Sequence, residues 1–230
     1  MRIRIVVSIG VLLASTASAE IVEHHLYTPT SLPSAQGWTY ESNGLDEEDV
    51  FAIVDDLLVM DTMGDGLDGE TFAWYLRDVG DPAVESAVFR LRARLTSYEN
   101  DALEFYRGFD FGGHVPGPGP WYSYGLQTDA VYVNQDYLQD LDTSAWHEYT
   151  VVTEGFYPDT QSTLLIDDVE AAVMTGDTTG GITNAFVFGD NGRHANARVE
   201  ISEIEVTTFD GPPVKVEQKS LSAVKALYLD

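Results

Sequence analysis

The residues whose type and spacing could do chemistry are mostly acids, and they fall in three places. The run Glu200-Ile201-Ser202-Glu203-Ile204-Glu205 spaces carboxylates along a single strand. Two carboxylates facing one another can serve as nucleophile and acid/base on a glycosidic bond. Strand alternation puts Glu203 and Glu205 on one face and Glu200 on the other, so the run reads as an exposed acidic face over Ile204 and Val206. The loop Asp61 to Asp68 (DTMGDGLD) brings Asp61 and Asp65 near a third aspartate, and Asp190 with Asn191 and Asn196 forms another oxygen-rich set. Both suit a hard divalent cation, and neither has the spacing of an EF-hand. Arg90, Arg92 and Arg94 share one face of one strand. Guanidinium forks match carboxylate and sulfate geometry, so the three read either as an anion-binding face or as a cross-strand ladder with neighbouring acids. The ladder is the simpler reading. His24, His25, His114, His147 and His194 lack the H-E-x-x-H spacing. His24 and His25 are expected in solvent near the start of the mature chain, and His147 in a structural hydrogen bond. With no G-x-S-x-G elbow, P-loop or dinucleotide fingerprint, no catalytic residue is assigned.

The elements that must carry these residues are strands. In Val84 to Leu95, Ala87, Phe89, Leu91, Ala93 and Leu95 alternate with Val88 and the three arginines, the period-2 signature of a half-buried strand. Similar short runs are Gly37–Glu41, Asp56–Thr62, Thr71–Arg77, Ala102–Asp110, Trp121–Gln127, Ala130–Asn134, Trp146–Glu154, Ser162–Asp167 and Val169–Met174. Asn184 to Val206 adds a strand, a Gly/Asn loop and a closing strand. The loop Gly112 to Pro120 (GGHVPGPGP) could rim a groove. Asp46 to Leu58 offers a helical alternative that its β-branched and aromatic content argues against. The fold class expected is all-β: a two-sheet antiparallel β-sandwich, a jelly roll, with a short C-terminal helical tail.

Composition bounds the rest. Met1 to Ala19 has a basic start, an apolar run and Ala17-Ser18-Ala19, the pattern of a secretory signal peptide. Residues 20–210 then form the domain and 211–230 a Pro-led tail. The chain is expected to be secreted, extracellular or periplasmic. It has no cysteine, so burial must hold the fold without disulfides. The net charge of −26 repels phosphate backbones and anionic lipid, which argues against nucleic acid and membrane partners. No run is long enough to span a bilayer. Lys215, Lys219 and Lys225, the chain's three lysines, all fall in the tail, whose segment Lys219–Leu229 has helical spacing.

The ordered pieces GWTYES, DLLVMDT, TFAWYLR, AVFRLRARL, WHEYTVVTE, STLLIDDVEAAVMTG and NAFVFGDNGRHANARVEISEIEV resemble the concanavalin A-like lectin/glucanase superfamily, including its laminin G-like modules. The resemblance covers roughly residues 32–209, with Asp168 standing where a glycine is usual in the turn Ile166-Asp167-Asp168-Val169. It implies a jelly roll whose concave sheet holds saccharide, and a structural Ca²⁺ on a loop edge, for which Asp61, Asp65 and Asp190 are the candidates. Glucanases of that superfamily carry E-x-D-x-x-E or E-x-D-x-E mid-chain. Here the nearest text has serine in the middle and lies on the last strand.

Aromatic rings stack on the apolar faces of sugars, and Trp74, Arg92, Tyr106 and Trp121 are the candidate groove residues. The expected partner is a polysaccharide or glycan, bound without catalysis. A hydrolase or lyase of the same fold, and a structural or adhesive module, are the alternatives.

Overall fold

A computed structural model describes residues 19–63, 72–79, 84–100, 108–113, 122–133, 136–154, 161–175, 185–190 and 195–211. In chain order the strands are β1 (Ile21–Tyr27), β2 (Thr39–Ser42), β3 (Phe51–Val54), β4 (Leu57–Asp61), β5 (Ala73–Asp78), β6 (Ser86–Asn100), β7 (Phe109–Gly113), β8 (Tyr122–Gln127), β9 (Ala130–Val133), β10 (Asp136–Asp140), β11 (His147–Glu154), β12 (Gln161–Ile166), β13 (Val169–Thr175), β14 (Ala185–Asp190) and β15 (Ala195–Phe209). They form two antiparallel sheets packed as a sandwich. One runs β13-β12-β11-β6-β15-β4-β3, with β1 added along the second half of β15. The other runs β10-β9-β8-β7-β14-β5-β2. A single helical turn, α1 (Glu47–Val50), leads into β3.

Alternation along each strand sends one apolar set between the sheets. Phe89, Leu91 and Ala93 of β6 meet Phe186 and Phe188 of β14 there, and Phe89 and Phe186 stack at 5.2 Å between centroids with an 11° interplanar angle. Phe111 lies 5.1 Å from Tyr149 and Phe51 4.6 Å from Tyr75 across the same interior. Such rings supply the large apolar area a cysteine-free domain needs. Two buried polar pairs bridge the interior: the Tyr124 and Ser162 hydroxyls are 2.8 Å apart, and the Thr62 hydroxyl donates to Asp190 at 2.6 Å.

As its β-branched and aromatic content argues, Asp46 to Leu58 is no long helix but one helical turn followed by the hairpin β3–β4. Two local expectations are corrected. His25 belongs to β1, and its Nε2 accepts a hydrogen bond from the Trp38 indole at 3.1 Å. A bulge between Ile201 and Glu203 brings Glu200, Glu203 and Glu205 to one face, opposite Arg94, Arg92 and Arg90, because an extra residue resets the alternation. His147 does make structural hydrogen bonds, to Asp167 at 2.6 Å and the Asp142 carbonyl at 3.0 Å.

Two of these features give measurable consequences. Two of the two-residue hairpin turns place aspartates in the left-handed region, Asp55 and Asp56 at φ 51° and 59°, Asp167 and Asp168 at 50° and 66°. A primed turn requires this geometry, and it suits glycine better. Asp168→Gly is expected to raise stability by about 0.5 kcal/mol, the strain relieved less the added chain entropy. Urea unfolding checks it, and a loss of stability would contradict the strain argument.

Burial, then the Arg77 charge, holds the His25 imidazole below its ordinary 6.5. Below about pH 6.5 the unfolded chain binds a proton that the folded chain refuses, so this contribution is lost as pH falls toward the folded value. Wild type should therefore lose more stability than His25→Gln between pH 7.5 and 5. Parallel stability profiles for the two proteins would refute the assignment.

Candidate functional site

The outer faces of the two sheets differ in chemistry. On the eight-stranded sheet, Arg90 reaches Glu205 at 3.0 Å, Arg94 reaches Glu200 at 2.6 Å and Arg198 reaches Asp61 at 2.9 Å. Arg92 approaches the Ser202 hydroxyl at 3.4 Å. The Arg92 and Arg94 guanidinium carbons lie 5.1 and 5.0 Å from the Trp146 ring centroid. This is the cross-strand ladder, sealed on one side by cation–π contacts. Across from Arg92 stands Glu148, whose carboxyl is pushed up, chiefly by burial.

The outer face of the seven-stranded sheet is built otherwise. Three neighbouring strands repeat one pattern, aromatic-x-aromatic-Gly: Phe186-Val187-Phe188-Gly189 in β14, Phe109-Asp110-Phe111-Gly112 in β7 and Tyr122-Ser123-Tyr124-Gly125 in β8. Phe109, Phe111, Phe186, Phe188 and Tyr124 enter the core. Alternation therefore turns Val187, Gly189, Asp110, Gly112, Ser123 and Gly125 outward.

Register then assembles a single transverse row, Glu41, Trp74, Gly189, Asp110, Gly125, Tyr132 and Tyr137, on seven successive strands. Beside it runs a second row of Thr39, Leu76, Val187, Gly112 and Ser123. Exposure along the first row changes from exposed Glu41 through half-buried Trp74 to a buried centre, with Asp110 at 4% and Tyr132 at 8%, and rises again to Tyr137 at 53%. In side-chain bulk the row is a trough, with glycines along its floor and rings toward its ends, and its centre is buried from solvent. Glycine within a strand can mark the close approach of another backbone, and at Gly189 that backbone is Ala73-Trp74 of β5.

The rims are held in place. Trp74 packs on Leu76, Ala185 and Val187, lies 4.6 Å from the Phe72 ring, and donates its indole N–H to Glu41 Oε2 at 3.3 Å. Tyr132 meets Tyr137 edge-on at 6.0 Å, and the Tyr137 hydroxyl donates to Asp140 at 2.8 Å. At about 4.8 Å between strands, Trp74 and Tyr132 stand about 19 Å apart. That span suits a short oligosaccharide lying across the strands.

Of the residues singled out from sequence, Trp74 lies on this trough. Arg92 lies on the outer face of the other sheet, so the two do not share a groove. Tyr106, Trp121 and Asp65 lie outside the described residues. Asp61 is held by Arg198 and by the Met63 N–H, and Asp190 is buried and accepts from Thr62. Among the described residues no three His, Cys, Asp or Glu side chains group as a metal set would. Asp110, Ser123 and the three glycines were missed in the sequence reading. The signal that could have found them is the threefold aromatic-x-aromatic-Gly repeat.

No family model matches the chain, and no curated protein matches it. Among solved structures, a carbohydrate esterase from Shiga toxin-encoding bacteriophage phi24B superposes with a TM-score of 0.52 at 14% identity, covering 83% of this chain and 99% of that one. An endo-β-1,4-glucuronan lyase from the fungus Trichoderma reesei gives 0.46 at 13% identity, over 84% and 100%. A metal-free carbohydrate recognition domain gives 0.44 at 10%, over 80% and 96%.

Proposed function

We propose that this chain, whose fold is that of the concanavalin A-like lectins and glucanases, is a secreted, non-catalytic carbohydrate-binding domain. It holds a polysaccharide or glycan in the trough on the outer face of its seven-stranded sheet. The observation that carries this reading is the row Trp74–Gly189–Asp110–Gly125–Tyr132, in which a floor without side chains lies between aromatic rims with a carboxylate at its centre. Rings stack on the C–H faces of sugars while the carboxylate and the Ser123 hydroxyl accept and donate to ring hydroxyls. The phage protein of the same fold is a carbohydrate esterase. That likeness supplies the scaffold, and the row supplies the chemistry.

Spacing supports binding over hydrolysis. Glu41 and Asp140 each stand three strand intervals from Asp110, about 14 Å, whereas paired catalytic carboxylates sit about 5 to 9.5 Å apart. The acids of the other sheet face arginines across the strands. The leader-like Met1–Ala19 supports export. The strong negative charge, with acids on the trough face, argues against nucleic acid. No helix among the described residues is long and apolar enough to cross a membrane. A structural Ca²⁺ at Asp61, Asp65 and Asp190 stays part of the proposal.

A glycan array probed with and without Ca²⁺ is the test, followed by titration of the tightest glycan. Trp74→Ala is expected to fold and to bind that glycan about tenfold more weakly, the loss of one stacking contact. Unchanged affinity would remove the trough from the account, and release of reducing ends or unsaturated products would replace binding by cleavage.

A further inference from the structure

Resting on the reading that the chain is exported, we propose that cleavage between Ala19 and Glu20 adds a contact to the fold. The α-ammonium group freed on Glu20 becomes the ion-pair partner of Asp210 and fastens β1 to the end of β15. The small-residue text Ala17-Ser18-Ala19 places the junction there. Cleavage is hydrolysis of one peptide bond by a leader-removing endopeptidase. The oxygen of water bonds to the Ala19 carbonyl carbon as its bond to the Glu20 nitrogen breaks. The departing leader keeps a carboxylate, and both protons of the water end on the Glu20 nitrogen, which becomes ammonium.

The receiving side is already built. Glu20 lies one residue before β1, just beyond the ladder pair Ile21–Phe209. Its backbone N–H donates to Asp210 Oδ1 at 2.6 Å, and its carbonyl accepts from the Asp210 N–H at 3.1 Å. The nitrogen that cleavage frees is thus the one the carboxylate already holds. Asp210 is fixed from both flanks: the Glu85 N–H donates to the Phe209 carbonyl at 2.8 Å, and the buried Ser86 hydroxyl donates to the Gly211 carbonyl. Its backbone therefore has little freedom left to lose on pairing. An amide N–H gives a neutral hydrogen bond, whereas an ammonium gives a charge-assisted one, roughly twice as strong. β1 joins its sheet through β15, so a contact at this end bears directly on whether β1 stays paired. Glu20 and Asp210 are both exposed, so solvent screens the pair. The gain is about threefold in the opening equilibrium of β1.

Amino-terminal sequencing of the protein exported from the full-length gene is expected to begin at Glu20. Retention of Met1, or any other start, overturns the proposal. Amide hydrogen exchange then compares the mature chain with one that keeps Ala19, which leaves the Glu20 N–H in place but moves the ammonium one residue away. The β1 amides should exchange about threefold faster in the longer chain, with β6 and β14 unchanged. In the Asp210→Asn background the two chains should exchange alike. Equal β1 rates with Asp210 present, or a difference that survives Asp210→Asn, would overturn the ion pair. Glycan binding is read separately, because β1 belongs to the sheet that does not carry the trough. Both chains should bind the tightest glycan of the array equally, and failure of both to bind would remove the glycan-binding reading while leaving this one in place.

Discussion

Replacing Gly189 by alanine is expected to cost about 3 kcal/mol or more of stability, a large share of the roughly 5–15 kcal/mol that holds a domain of this kind together. Gly189 has φ 148°, and a Cβ there would meet the Ala73 carbonyl oxygen and, at 2.5 Å, the Trp74 Cα on the paired strand. The contact is with backbone, so no rotamer change relieves it. Strain at a glycine-only φ costs about 1–3 kcal/mol, and forced overpacking a further 1–3 kcal/mol. The same clash pushes on the residue that forms one rim of the trough, so glycan binding should fail in whatever folded fraction remains. Urea unfolding of the variant gives the number, and a loss under about 1 kcal/mol would show that β5 and β14 are not this close.

Arg90→Ala is expected to cost about 3–5 kcal/mol. Its partner Glu205 is 7% exposed, and removal of the guanidinium at 3.0 Å leaves its charge to the Thr207 hydroxyl at 3.4 Å and His24 Nδ1 at 3.6 Å, where water reaches it poorly. Exposed ion pairs lose about 1 kcal/mol at most, so the size of the effect separates the two cases. Replacing both partners, Arg90→Met with Glu205→Leu, should recover most of the loss, because desolvation of the charges is then absent as well. A double variant as unstable as the single one would mean that the pair does more than neutralise itself, for example by fixing β1 against β15 through His24, whose Nδ1 lies 3.6 Å from Glu205.

The sandwich itself was legible in the sequence wherever alternation ran uninterrupted, as in β6 with its core set Ala87, Phe89, Leu91, Ala93 and Leu95. It was illegible where something local broke the pattern. β10 (Asp136–Asp140) is a polar edge strand with little apolar signal to read. β1 hides behind His24-His25, and its partner is at the far end of the chain. The hairpin β3–β4 turns on Asp55-Asp56, where the left-handed backbone calls for Asn-Gly in a legible sequence. The bulge after Ile201 leaves no mark in composition, yet it decides whether Glu200 and Glu205 share a face.

The site followed the same logic. Trp74 was visible because a tryptophan on a half-polar strand is conspicuous. Asp110 was not, because an acid between two phenylalanines reads as the polar phase of any amphipathic strand. Only register, which aligns it with Gly189 and Gly125, shows that its neighbours leave a floor around it. Arg92 was attractive as an anion site until its strand was placed in the sheet that does not carry Trp74.

The most direct test of the central claim is amide chemical-shift mapping with the tightest glycan from the array. Shifts confined to Gly112, Ser123, Gly125, Gly189 and the Trp74 indole N–H are predicted. Shifts centred instead on Arg92, Trp146 and Glu200, with the trough glycines unmoved, would contradict it.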